Sequence, residues 1–254
     1  MKYVIGIDLH GTLLDDKWKI KEKSRDMLIG LLKNKEIYVC TGNDLTFIHK
    51  YVPKEISSLL RGFVLETGCV VSDGKKEEII VLRKQIQMIK ELEKQLKKQN
   101  FKEVLYFARR LATISMFTKS EFEGVQPDFF FIKIKEFIEK SDFRNKVLVT
   151  HSNVAVDIIP KGHNKFSGME HIAKEKEIVG IADSLNDFHL INDADYGFIP
   201  KNASERLIRK LKENKKEIIN ITKAVLKKGQ VVISNKKNAG FVVECLKFLE
   251  NGKI

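Results

Sequence analysis

The chain is poor in cysteine, and its three cysteines, Cys40, Cys69 and Cys245, lie far apart in apolar surroundings. An odd number at such spacings makes neither a disulfide framework nor a zinc-finger pattern, so they read as reduced core residues. No apolar run is long enough to span a membrane. The apolar run at the amino terminus is too short for a signal peptide and meets Asp8 at once. A cytoplasmic chain without a membrane partner is therefore expected. Internal repeats, low-complexity segments, an RNA-recognition signature and interleaved aromatic and basic residues are also missing. The charge is uneven, with 46 Lys and Arg against 34 Asp and Glu and a formal net charge of +12. Such a balance favours anionic ligands. Yet most lysines alternate with glutamates, as in Lys21-Glu22-Lys23 and Lys174-Glu175-Lys176-Glu177, which is the pattern of solvated helix faces. A nucleic-acid partner is not expected.

What is present is 254 residues, 43% of them hydrophobic, enough for one large core or two modest ones. Tyr3-Val4-Ile5-Gly6-Ile7 reads as a strand buried on both faces, and residues 23–32 as a helix of 3.6-residue periodicity. Glu36-Ile37-Tyr38-Val39-Cys40 is a second buried strand, so the order is that of a βαβ unit. Strand, turn and strand follow around Glu66-Thr67-Gly68. At Arg83 the character changes: a charged amphipathic helix over 84–100, strand-like runs at 112–117 and 147–159, and an aromatic-rich helix over 128–139 between them. The βα alternation then resumes, with a strand at 177–182, a long helix over 203–221, a strand at 231–234 and a closing helix at 240–249. The fold class expected is α/β, a Rossmann-like parallel-sheet core with helices on both faces. Residues 1–82 and 160–254 form that core, and 83–159 form a smaller inserted α+β domain.

Three strand ends carry polar groups that suit one another: Asp8, then Thr41-Gly42-Asn43, then Asp183 with Asp187. In a parallel sheet these ends share one edge, so the groups can converge. Asp8, Asp183 and Asp187 would make a hard oxygen site for Mg²⁺, which one or two carboxylates, waters and a phosphate oxygen commonly hold. Thr41, with amides from Gly42 and Asn43 at a helix start, can hold phosphate oxygens. Lys165 is placed to neutralise a transferred group, with Asn164 as a helix cap before it. Arg110, beside Arg109 in the insert, either clamps a substrate carboxylate or belongs to an exposed structural pair.

Together these segments resemble the four motifs of the haloacid dehalogenase superfamily. Ile7-Asp8-Leu9-His10-Gly11-Thr12-Leu13 resembles its first motif and Cys40-Thr41-Gly42-Asn43 its second. Lys165 resembles the lysine of the third, and residues 180–187 the metal-binding fourth. The insert has the position of the α+β cap of the Cof-like branch. "TGN", the Glu66-Thr67-Gly68 turn and the modest cap are most similar to archaeal phosphoglycolate phosphatases. Mannosyl-phosphoglycerate and sucrose-phosphate phosphatases are the related alternatives.

The resemblance implies a Mg²⁺-dependent phosphoric monoester hydrolase acting on a small anionic phosphorylated substrate. Asp8 would be the nucleophile and form an aspartyl-phosphate. Asp183, Asp187 and the carbonyl of His10 would join Asp8 around the metal, while Thr41 and Lys165 would hold the phosphoryl group. Two positions depart from the pattern. Ala182 replaces a usual glycine, a small change. His10 replaces the usual second Asp, which protonates the leaving oxygen and then activates water. An imidazole can do both; the alternative is a catalytically silent member that only binds a phosphorylated ligand.

Overall fold

The computed structural model describes residues 2–118, 127–152 and 154–251. Strand β1 (Tyr3–Asp8) is buried from Val4 onward. After it come α1 (Glu22–Leu32), β2 (Ile37–Cys40), the short helices α2 (Leu45–Tyr51) and α3 (Lys54–Ser57), β3 (Gly62–Leu65), β4 (Val70–Ser72) and β5 (Glu77–Ile79). The middle of the chain holds α4 (Arg83–Lys98), β6 (Val104–Phe107), β7 (Ile114–Thr118), α5 (Pro127–Glu139), β8 (Val147–His151) and β9 (Ala155–Pro160). Then follow α6 (Lys165–Ala173), β10 (Glu177–Ile181), α7 (Phe188–Asn192), β11 (Tyr196–Ile199), α8 (Glu205–Glu213), β12 (Ile218–Asn220), β13 (Val231–Ile233) and α9 (Asn238–Glu250). The chain divides into two units, Met1–Glu77 with Asn164–Ile254, and Glu78–His163.

The larger sheet has the strand order β12-β13-β11-β10-β1-β2-β3-β4-β5 among the described residues. Pairing is parallel from β12 through β3, and β4 turns back antiparallel on β3. From β1 the chain moves to β2 and β3 on one side, while β10 and β11 lie on the other. That reversal makes a switch point, the place where open α/β sheets leave a crevice beyond their carboxyl ends. Ile7 pairs with Ile181 and Asp8 with Cys40. The loops after β1, β2 and β10 therefore begin at one level on one edge.

Helices cover this sheet in two groups, α1 packed with α9 and α3, and α6 with α7 and α8. Helix α9 is buried nearly all round, through Phe241, Val242, Cys245 and Leu246. Each such side chain contributes roughly 1.5–3 kcal/mol by leaving water. All three cysteines are buried and free.

Two expectations about element ends are corrected. The helix expected over 203–221 stops at Glu213; Lys215 takes a left-handed φ of 59°, and Ile218–Asn220 leaves as an edge strand paired with β13. The β-branched pair Ile218-Ile219 suits a strand better than another helical turn. The single strand expected over 147–159 is the β8–β9 hairpin. The Ser152 hydroxyl accepts from the amides of Val154 and Ala155 and turns the chain back.

The Glu78–His163 unit has a four-stranded antiparallel sheet, β6-β7-β9-β8. Ile114, Met116, Val156 and Ile158 point to one face and pack with Ile89, Leu92 and Leu96 of α4 and Phe130, Ile134 and Ile138 of α5. The alternate residues Ser115 and Asp157 stand in register on the opposite face. The unit reaches a few residues beyond 83–159 at each end. Gln85 donates to the Lys161 carbonyl at 3.2 Å and the Lys161 amide to that of Lys146 at 3.0 Å, which ties the exit segment back. Among the described residues, no helix is long and apolar enough to cross a membrane.

Candidate active site

The site is built first by the turn after β1. Gly11 has φ of +78°, and a Cβ there would run into the Asp183 carboxylate, 2.9 Å from its Cγ. Only glycine lets the turn come this close. The amides of Leu13 and Leu14 close the turn on the Leu9 carbonyl. This brings the Thr12 hydroxyl to donate to Asp183 Oδ1 at 3.1 Å.

The start of α6 brings the lysine. Asn164 caps the helix by accepting from the Ser167 amide at 3.0 Å, and the Asn164 amide in turn donates to Ser167 Oγ at 3.0 Å. The Glu66-Thr67-Gly68 turn packs directly beneath: Gly68 has φ of +89°, and a Cβ would overlap the Asn164 carbonyl. Lys165, only 7% exposed, then reaches two carboxylates. Its Nζ lies 2.5 Å from Asp8 Oδ1 and also donates to Asp187 Oδ1. Ser184 donates to the other oxygen of Asp187 at 2.6 Å.

Asp8, Asp183 and Asp187 each offer an oxygen within 4.8 Å of the others. Burial raises the pKa of Asp8, and the neighbouring Asp187 raises it further against the pull of Lys165. Asp183 is raised by burial and by Asp187, with the Thr12 hydrogen bond and Lys165 opposing. Burial pulls the Lys165 ammonium down, but Asp187 and Asp8 more than offset it and hold its pKa above the ordinary value. When all three carboxylates are ionised, the single ammonium leaves two negative charges in surplus, and the raised pKa values of Asp8 and Asp183 are the response to burial and to that surplus. A divalent cation with a preference for hard oxygen donors fits that surplus in charge and in ligand type.

Thr41 and Asn43 follow β2 at the same edge. The Thr41 carbonyl accepts from the Thr67 amide at 3.0 Å and the Asn43 carbonyl from the Glu66 amide at 3.1 Å, which locks this loop to the Glu66–Gly68 turn. Gly42 lies against Thr67, whose hydroxyl would be 3.3 Å from a Cβ there. The Asn43 amide donates to Thr41 Oγ1 at 3.1 Å, so it is already engaged. The helix itself starts two residues later, capped by the Asp44 carboxylate on the Phe47 amide. Of the expected phosphate ligands here, Thr41 is buried, and its hydroxyl oxygen accepts from the backbone and side-chain amides of Asn43.

His10 is half-buried. Its pKa is lowered to about 4, by burial first and then by the Lys165 charge, with Asp187 opposing. Its ring lies 5.0 Å from that of Phe47 and 6.2 Å from Trp18, centre to centre. Arg110 belongs to the other unit. There it donates from Nε to Ser115 Oγ at 3.3 Å, and Asp157, raised by burial, is pulled down by Ser115 and Arg110. Sequence reasoning assigned no role to Thr12, Ser184 or the Trp18–Phe47 contact. Thr12 stands within the first motif and Ser184 directly after Asp183, so both had a local signal; the third joins distant segments and left none.

A sequence profile of haloacid dehalogenase-like hydrolases matches residues 5–149 and 131–224. No curated protein matches the chain. Among solved structures, a Plasmodium vivax protein provisionally assigned to the HAD/COF-like hydrolases superposes with a TM-score of 0.72 at 14% identity, over 99% of this chain and 96% of its own. A haloacid dehalogenase-like hydrolase from Bacteroides thetaiotaomicron gives 0.65 at 14% identity, over 98% and 100%. A trehalose-6-phosphate phosphatase related protein gives 0.54 at 13%, over 98% and 97%. At such identities the superpositions speak for the fold. The profile match runs through Asp8, Thr41, Lys165 and Asp183, and by it this chain belongs to the haloacid dehalogenase-like hydrolases.

Proposed function

We propose that this hydrolase is a magnesium-dependent phosphatase that cleaves a small phosphorylated metabolite through a phosphorylated Asp8. The observation that carries the reading is the meeting of Asp8, Asp183, Asp187 and Lys165 at the switch point of the sheet. In the first step an Asp8 oxygen attacks phosphorus, the bond to the leaving oxygen breaks, and that oxygen takes a proton from His10. In the second, water gives a proton to the now neutral His10 and attacks phosphorus, which frees Asp8 and inorganic phosphate.

The lowered pKa keeps His10 in the neutral form that the base step requires, though as a weaker base than a free imidazole. An arriving phosphoryl dianion puts negative charge beside the ring and raises its proton affinity for the acid role. Lys165 and Thr41 hold phosphoryl oxygens. Asp8, Asp183, Asp187 and the His10 carbonyl would hold Mg²⁺, which when bound supplies positive charge against the phosphoryl oxygens. In the insert, Arg110 is the residue assigned to a substrate carboxylate. Phosphoglycolate heads the candidate substrates, with sugar phosphates as the second class.

The test is a panel of phosphorylated metabolites assayed for phosphate release with Mg²⁺ and with excess chelator. Release from at least one compound, lost with chelator, is expected. Undiminished release in chelator would overturn the metal assignment. Binding without release across the panel would make the chain a silent ligand binder, with His10 as the reason.

A further inference from the structure

Trp18 is the chain's only tryptophan, and its backbone takes φ of 58°, a region that bulky residues rarely enter. The loop around it is built to hold that conformation. Asp15 Oδ1 accepts from the amides of Lys17 and Lys19, each at 2.9 Å. The Trp18 amide donates to the Asp15 carbonyl at 2.8 Å, and the Asp15 amide to that of Lys19 at 3.0 Å. Strain held in place by its surroundings marks functional positions more often than packing positions. Packing alone does not account for this residue, because 42% of it remains exposed.

The exposed indole is the outer edge of an aromatic group. It meets Tyr51 at 4.6 Å and Phe47 at 5.5 Å between ring centres, both edge-on. Phe47 and Tyr51 lie one turn apart on α2 and present one surface. Phe47 leads to His10 at 5.0 Å, and His10 stands two residues after Asp8. The aromatic surface is thus continuous with the reacting groups, within one unit of the chain.

We infer that Trp18, Phe47 and Tyr51 form a subsite for a ring in the leaving group of the phosphomonoester. A ring with a flat face, the C–H face of a sugar or the π-face of a nucleobase, stacks on such a surface. An acyclic group such as glycolate offers it nothing, so the subsite favours a ring-bearing phosphomonoester over phosphoglycolate. The reaction in this inference rests on the phosphatase reading; the binding does not.

The single tryptophan makes the test direct. Asp8→Asn protein with Mg²⁺ is titrated with a hexose 6-phosphate, a nucleoside 5′-monophosphate, phosphoglycolate and inorganic phosphate, read by tryptophan emission and by calorimetry. At least one ring-bearing ligand should shift the emission and bind about tenfold more tightly than phosphoglycolate; which of the two does so separates sugar from nucleoside. Trp18→Gly suits the left-handed backbone and removes the ring. In that background the affinity ratio of ring-bearing ligand to phosphoglycolate should fall about tenfold, and Trp18→Phe should restore part of it. In otherwise wild-type protein the same ratio of kcat/KM should fall through KM. The inference is overturned if neither ring-bearing ligand moves the emission beyond inorganic phosphate, or if Trp18→Gly leaves the ratio unchanged. Ring-selective binding without turnover would sink the phosphatase reading alone, and turnover without ring selectivity the subsite alone.

Discussion

In the larger unit Asp8, Asp183 and Asp187 share a single ammonium, that of Lys165, whereas in the Glu78–His163 unit the one carboxylate of Asp157 is met by the Ser115 hydroxyl and by the Arg110 charge. In both groups burial raises the pKa of a carboxyl. In the second a cation and a hydroxyl meet a single carboxyl, and the group can be read as part of the structure of its sheet. The first, once its carboxylates are all ionised, carries two negative charges more than Lys165 neutralises, and the raised pKa values of Asp8 and Asp183 show that the fold resists this unless something else supplies the balance. Surplus charge of one sign therefore separates a site for chemistry from a site for packing, where burial alone does not.

The largest effect should come from Asp8→Asn. If Asp8 is the nucleophile, turnover on the best substrate should fall by about 10⁴-fold or more in a steady-state assay. The same change removes one of three mutually repelling carboxylates, so thermal stability without metal should hold or rise. Retained turnover would end the nucleophile assignment; a collapse of the fold would mean that the Asp8–Lys165 pair is structural, like the Asp157 group.

Next in size is His10. His10→Ala should lose on the order of 10²–10⁴-fold in rate, the usual worth of a positioned acid–base group. His10→Asp should keep or increase activity, because it supplies the carboxyl group that the family's first motif has there. Unchanged turnover in His10→Ala would send the proton by another route and leave His10 as the inner wall of the aromatic group.

The surplus charge also predicts a pH dependence that needs no substrate. Folding raises the pKa of Asp8 and Asp183, so the folded state holds these protons more tightly than the unfolded chain. That contribution to stability is present below the ordinary carboxylate range and is lost as pH rises through the raised values. His10, lowered on folding, acts in the opposite sense: its contribution is present above the ordinary imidazole pKa and is lost as pH falls toward about 4. Without metal, Tm should fall by a few degrees between about pH 6.5 and 8, where the carboxylates dominate. Mg²⁺ should restore it more at the higher pH, and the slope should flatten in Asp8→Asn. A metal-free Tm that rises over this interval would contradict the proposed imbalance.

The motif residues were legible because the parallel sheet does the convergence: once Asp8, Thr41 and Asp183 are each placed at a strand end, one edge follows. Lys165 was legible through Asn164, whose capping role follows from its side chain. What could not be read were contacts set by tertiary approach. The Gly68 turn beneath Asn164, and Trp18 against Tyr51, each join segments that no local pattern relates. Strand β6 was missed for a different reason: Val104–Phe107 is largely exposed, so burial left no alternation to detect. The helix overextended past Glu213 failed because a lysine-rich outer face continues beyond the residue where the backbone turns left-handed.

The smallest effect, and the one that most sharpens the contrast between the two charge groups, should come from Arg110→Ala. Its removal takes away the bond to Ser115 and a charge that favours ionised Asp157. Stability should drop by roughly 1 kcal/mol, the usual net worth of such a bond. The loss should be greater at higher pH, since Asp157 without its guanidinium resists ionisation more strongly. Generic aryl phosphate turnover should stay within about twofold, because Asp8 and Lys165 belong to the other unit, whereas KM for a carboxylated substrate should rise by about tenfold, the scale of one lost charge-assisted hydrogen bond. The measurement pairs melting curves at two pH values with KM for an aryl phosphate and for phosphoglycolate. A change in KM for the carboxylated substrate alone would assign Arg110 to recognition. Equal changes in both, with the pH-dependent loss of stability, would return it to the balanced structural group that Ser115 and Asp157 already form.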